Sequence, residues 1–188
     1  FASPTARAVV SALTPVADRH RMHLAWAEAI TAADPDRALW HRAAGTLGPD
    51  ERLEADLVAL AERAVGRDDL DVAAEALEQA SRFAYDPQRA AHLMLRAAGL
   101  SIELDDPDRS QRLVDAVNTR ALGPVDRARL RWLTSMLGES WSGADSLPGF
   151  IESARQMHQA GADQLAFDAL MGVCLRFHFT NPALEVRQ

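Results

Sequence analysis

His20 and His23 stand three residues apart, a spacing that brings two imidazoles to one face of a helix. A zinc ion would need a third and a fourth ligand, and no carboxylate-rich partner is identifiable, so the pair reads as the edge of a packed face. Cys174 and His178, four apart, share a face in the same way. A thiol–imidazole couple needs a third group to orient the base, and none is identifiable; the expectation is a buried thiol beside an amphipathic histidine. Glu51, Glu54 and Asp56, with Asp68, Asp69 and Asp71, form two acidic stretches. Two carboxylates across a cleft can hydrolyse a glycosidic bond, but acids at helix N-termini are already explained by capping and the helix dipole. No nucleophile–base set, metal cluster or phosphate loop is left, so the chain is expected not to be an enzyme and to need no cofactor of its own.

The tryptophans carry a different chemistry, that of contact. Trp40 and Trp132 fall on or near apolar stripes and are expected in the core. Trp26 lies off the main stripe of its helix, and Trp141 stands at a helix end beside Ser142-Gly143. Off-stripe tryptophans suit partner surfaces, which makes Trp26 and Trp141 the candidate ligand or partner surface. Packing against a neighbouring helix pair is the competing explanation.

The elements that position these residues are helices. Asp34-Pro35-Asp36-Arg37, Asp86-Pro87-Gln88-Arg89 and Asp106-Pro107-Asp108-Arg109 share the pattern Asp-Pro-x-Arg. Asp accepts a bond from first-turn N–H groups, and Pro sits where a missing N–H costs nothing. Thr14-Pro15 follows the same logic, while Gly48-Pro49 and Gly123-Pro124 each stop one helix and start another. Between these breaks the apolar period is helical: Val16, His20, His23, Ala27 and Ile30; Leu53, Leu57, Leu60 and Ala64; Leu70, Ala73, Leu77 and Ala80; Val125, Ala128, Trp132 and Met136. The spacing predicts an all-α chain with helices over 15–32, 35–46, 49–66, 69–84, 87–104, 107–121, 124–140, 146–160 and 162–179.

The helices pair. Ala61 and Ala73, flanked by Leu57, Leu60, Leu77 and Ala80, resemble the tetratricopeptide (TPR) arrangement, in which small residues let two helices approach. A shift of about 37 residues reaches Met94, Ala97, Ala98, Ser110, Val114 and Val117. The expected fold is a TPR-like, right-handed superhelical stack of eight to ten antiparallel helices.

Composition agrees with a soluble globular chain: 188 residues, 48% hydrophobic, 25% charged. All 20 cationic residues are Arg, against 27 acids and a net charge of −7. With no basic run, the chain is not expected to grip a phosphate backbone. A single Cys excludes an intramolecular disulfide, and no apolar run is long enough to span a membrane. Neither a signal peptide nor an initiator Met is present, so the expected setting is a cytoplasmic fragment of a longer chain.

The run Ala38-Leu39-Trp40-His41-Arg42-Ala43-Ala44, followed by Gly48-Pro49-Asp50-Glu51, resembles the middle of the large ATP-binding LuxR-family transcription regulators of actinobacteria, a group related to the maltose-regulon activators. Arg19-His20-Arg21-Met22-His23-Leu24-Ala25-Trp26-Ala27 is similar to the helix before that segment, and Ser3-Pro4-Thr5-Ala6-Arg7-Ala8-Val9-Val10 to the tail of a winged-helix part that closes the ATPase module. The likeness covers residues 3–120. It implies that 1–13 is the tail of an ATPase module, 14–48 the linking helices of an arm, and 49–188 its TPR-like repeats. It also implies ATP binding and DNA binding elsewhere in a parent protein, because this chain has neither a phosphate loop nor a basic recognition helix. The arm would sense a ligand or protein partner. Similar arms also follow ATPase modules in signalling cyclases and kinases, and a generic TPR-like scaffold is the further alternative.

The segment 162–179 has almost no polar face. Phe167, Met171 and Phe177 are expected to leave an apolar patch at that end, which invites self-association as a two-fold dimer.

Overall fold

The computed structural model describes residues 13–138 and 147–180, with side chains described as far as Leu175. Among these residues the chain is all-helical, without strands: α1 Val16–Ile30, α2 Pro35–Gly45, α3 Glu51–Val65, α4 Leu70–Phe83, α5 Pro87–Glu103, α6 Pro107–Ala116, a 3₁₀ turn Thr119–Ala121, α7 Pro124–Leu137, α8 Leu147–Gln159 and α9 Asp163–Thr180. No described helix is long and apolar enough to cross a membrane. The segment 1–12 and Trp141 lie outside the described residues.

The Asp-Pro starts cap their helices as their chemistry dictates. Asp34 accepts from the Arg37 N–H at 3.0 Å, Asp86 from Gln88 at 2.9 Å and Asp106 from Arg109 at 2.9 Å, each with Pro in the first turn. The two Gly-Pro breaks differ from each other. Gly48 takes the left-handed conformation, at φ +76, and Pro49 precedes the cap, because Asp50 accepts from Leu53 N–H at 2.9 Å. Gly123 is not left-handed; it is the extended N-cap of α7, and Pro124 opens that helix. Pro15 likewise is the N-cap residue of α1 and offers no side-chain bond. The helix expected over 107–121 breaks. Val117 turns extended, and Asn118 accepts from Arg120 N–H at 3.2 Å to start the 3₁₀ turn.

One turn recurs. Asp68 and Asp105 both adopt positive φ, 61 and 56, a conformation that aspartate tolerates better than most residues. In each, the next N–H reaches back five residues, Asp69 to the Ala64 carbonyl and Asp106 to that of Ser101, both at 2.9 Å. Gly161, at φ +80, does the same for α8 and α9, with Ala162 N–H on the Met157 carbonyl at 2.9 Å. The starts Glu51, Pro87 and Pro124, and Leu70 and Pro107, recur at about 37 residues.

Consecutive helices pack on one another, and α5 also meets α7. Small residues line the contacts: Ala61, Ala73, Ala97, Ala98 and Ser110 are fully buried, and the Ser110 hydroxyl donates to the Ala98 carbonyl at 3.0 Å. One core runs from Leu39 on α2 to Leu133 on α7. Two smaller clusters join α7, α8 and α9, around Met157 and around Phe150. Trp132 packs against all three, and Trp40 against the first. The α1 stripe is shallow: only Ala27 is buried, and Val16, expected inside, is exposed.

Candidate functional site

The sequence candidates fall on three faces of the stack. At the first, α1 lies on α2 through a close approach: a Cβ on Gly45 would stand 2.7 Å from Leu24 Cγ and 2.9 Å from the His20 carbonyl oxygen. The same contact fixes three histidines. His20 Nδ1 faces the Gly45 carbonyl at 3.2 Å, so that nitrogen carries the proton. His23 Nδ1 and His41 Nδ1 are 2.9 Å apart, which requires a donor on one ring and a lone pair on the other. Burial, then His41, then His20, hold the His23 pKa below its ordinary 6.5. His20 and His23 are thus each engaged inside the helix pair. No group of three or more His, Cys, Asp or Glu among the described residues is placed to hold a metal ion. Trp26 stacks on His41, with centroids 6.4 Å apart, yet stays 58% exposed, so this expected surface residue has one face on its neighbour and one in solvent.

The second face is charged: Glu51, Glu54 and Asp71 do stand in first turns, and several acids also bond arginines of other helices. Glu54 accepts from Arg89 at 2.8 Å and Glu62 from Arg96 at 2.6 Å, tying α3 to α5. Asp126, buried on α7, faces His92 of α5 at 2.9 Å. Asp71 and Glu78 of α4 hold Arg109 of α6 at 3.0 and 3.4 Å, and Asp56 and Asp36 join α2 to α3 through Arg42 and Arg63. The half-exposed pairs among them, Arg42–Asp56 and Arg63–Asp36, contribute about 0–1 kcal/mol each, so their effect is on the register between helices more than on stability. Near them, burial first and Arg96 second lower the Arg129 pKa to about 10, against the opposing pull of Asp126, Asp168 and Glu103. Arg129 therefore stays charged at neutral pH. Burial, then Asp168, push the Glu103 carboxyl up. Nothing in the sequence marks these pairs as partners, except that most of them lie one repeat apart.

The third face is α9. Ala166, Ala169 and Val173 are buried against α7 and α8, while Phe167, Leu170, Met171 and Leu175 are exposed. Phe167 and Met171 are where the composition of the helix placed them, on an open apolar patch; the Phe177 side chain lies outside the described residues. Cys174 is exposed, contrary to the expected buried thiol, and the His178 side chain is not described.

Grooves open between the helices. One of about 520 Å³ is lined by Trp40 of α2 and Glu75, Gln79 and Arg82 of α4. Another of about 460 Å³ lies between α7 and α8. Both are open, solvent-facing grooves lined by a mixture of polar and apolar groups. Comparison of the chain with known protein families, with curated proteins and with solved structures found no match.

Proposed function

We propose that the chain is a non-enzymatic sensor or interaction arm of an ATP-dependent, LuxR-type transcription regulator, built as a TPR-like right-handed superhelix and working in the cytoplasm. Its ATPase and DNA-binding domains would lie elsewhere in the parent protein. The observation that carries this reading is the ladder of polar side-chain pairs between next-but-one helices. Glu54–Arg89, Glu62–Arg96 and His92–Asp126 join residues separated by 35, 34 and 34 positions. Such spacing supports a stack of repeated helix pairs. A ligand on the grooved or charged face would act by favouring one arrangement of neighbouring pairs over another, which needs different affinity for the two. Reading the coding sequence on both sides of the segment tests the proposal. A phosphate loop before it and a helix-turn-helix after it support it; a cyclase or kinase, or no flanking domain, overturns it. The isolated chain should bind neither ATP at micromolar concentration in calorimetry nor duplex DNA at physiological salt.

Self-association belongs to the same reading. Phe167, Leu170, Met171 and Leu175 are 60, 39, 43 and 54% exposed. Taking about 150–250 Å² for a large side chain, they offer on the order of 400 Å². Two copies would bury about 800 Å², short of the roughly 1,200 Å² of a stable interface. The expected dimer is therefore weak, and in a parent protein the face would suit a following helix equally well.

A further inference from the structure

We propose that the groove between α7 and α8 binds a small ligand through an oxyanion, a phosphoryl or carboxylate group carried on a hydroxyl-bearing body. The site goes beyond the regulator reading, because it is a property of this helix pair alone. Arg127 and Arg131 of α7 line the groove opposite Gln156 and Gln159 of α8, and among the described residues no carboxylate lines it. In a chain of net charge −7 that is a local reversal of sign. Arg42, Arg63, Arg82, Arg89, Arg96, Arg109 and Arg155 all stand within 4 Å of a carboxylate. Arg127 and Arg131, like Arg37, Arg52, Arg67, Arg112 and Arg120, have no such partner among the described residues; what sets the two apart is that both line one groove. Being four apart on one helix and both lining the groove, they put two guanidinium groups on one side of α7, a pairing that suits binding of phosphate or carboxylate.

The nearby acids are turned elsewhere. Asp126 is buried against His92, and Glu152 is held by Arg155 and Gln156. With its amide nitrogen on Glu152, Gln156 keeps its carbonyl oxygen as an acceptor, which a ligand hydroxyl would satisfy. The first turn of α7 reaches the same groove through Pro124 and Val125. The groove is open to solvent, and its volume of about 460 Å³ leaves room for more than a bare phosphate.

The test is a titration of the whole, isotope-labelled chain, followed by amide and guanidinium resonances. The probes are inorganic phosphate, glycerol 3-phosphate and malate, each at about 20 and about 150 mM NaCl. Saturable shifts confined to residues 125–131 and 156–160, and several-fold weaker at the higher salt, are expected from glycerol 3-phosphate or malate; the stronger of the two names the anion. Arg127→Gln with Arg131→Gln should abolish them with helical circular dichroism unchanged, and the paired Lys variants should weaken them. Arg52→Gln, at an exposed arginine of α3 away from the groove, should leave them intact. No saturable shift with any probe at about 10 mM, shifts that survive the double Gln variant, or shifts equally large around Arg52 would overturn the proposal.

Discussion

Glycine to alanine at two helical positions should move stability in opposite directions. In a helix interior the exchange gains about 0.5–1 kcal/mol, because glycine loses more backbone freedom on folding. At Gly99 on α5 an added Cβ meets nothing within 4 Å, so Gly99→Ala should realise that gain. At Gly45 the added Cβ meets two obstacles. Leu24 Cγ, at 2.7 Å, belongs to a half-exposed side chain that can swing aside. The His20 carbonyl oxygen, at 2.9 Å, is backbone, and moves only if α1 moves. Overpacking of this kind costs about 1–3 kcal/mol, which exceeds the gain. Gly45→Ala should therefore lose up to about 2.5 kcal/mol net, drawn from the docking of α1 on α2. In a chain of this size each kcal/mol shifts Tm by about 2–4 °C. Thermal unfolding followed by circular dichroism should show Gly99→Ala rising and Gly45→Ala falling by a few degrees. Amide exchange in α1 should quicken only for Gly45→Ala. If Gly45→Ala raises Tm as Gly99→Ala does, with α1 exchange unchanged, the close approach of the two helices is wrong.

The other predictions concern titration, the core and the terminal helix. The docked state lowers the His23 pKa, so it favours the neutral ring; its contribution is complete above 6.5 and drains away as pH falls from 6.5 through the lowered value. Exchange of α1 amides, corrected for intrinsic rates, should accelerate over that window, and His41→Gln should flatten the response. Leu57→Ala, in the fully buried core of α3, should cost about 2–5 kcal/mol in urea unfolding, whereas Leu47→Ala, 76% exposed, should stay within about 0.5 kcal/mol of wild type. In sedimentation over a concentration series the chain should associate weakly through α9, and Phe167→Glu or Met171→Glu should keep it monomeric; a monomer at every accessible concentration rejects that face as an interface.

Much of the fold is local, and local features are legible in a sequence. Asp34, Asp86 and Asp106 cap from within three residues of the amides they bind, so their position before Pro announces the helix start. Leu53, Leu57 and Leu60 are wholly buried because their spacing puts them on one face of α3, whatever α3 packs against. The same spacing misleads at α1, where Val16 shares the stripe of Ala27 yet is exposed, since α2 is the main support for that helix and covers only part of it. Gly48 and Gly123 are identical in local pattern and differ in conformation. A Cβ on Gly123 would stand 2.9 Å from Gln88 Nε2, a neighbour thirty-five residues away that no local reading supplies.

The charged residues show where legibility ends. Glu54 and Asp71 sit in the first turns of their helices, where the dipole already accounts for an acid, and only the stacking reveals that each also holds an arginine of another helix. On α7, Arg127, Arg129 and Arg131 look alike as text. Ala128 and Leu133, both wholly buried, set the rotation of that helix. With those two turned inward, Arg127 and Arg131 come to the α8 groove, while Arg129 comes to Arg96 and Asp126. Little more than half a turn of helix thus separates a guanidinium embedded in the charge network from two that face the groove. The difference arises from a period of 3.6 acting on residues spaced by two, together with a core that fixes its phase.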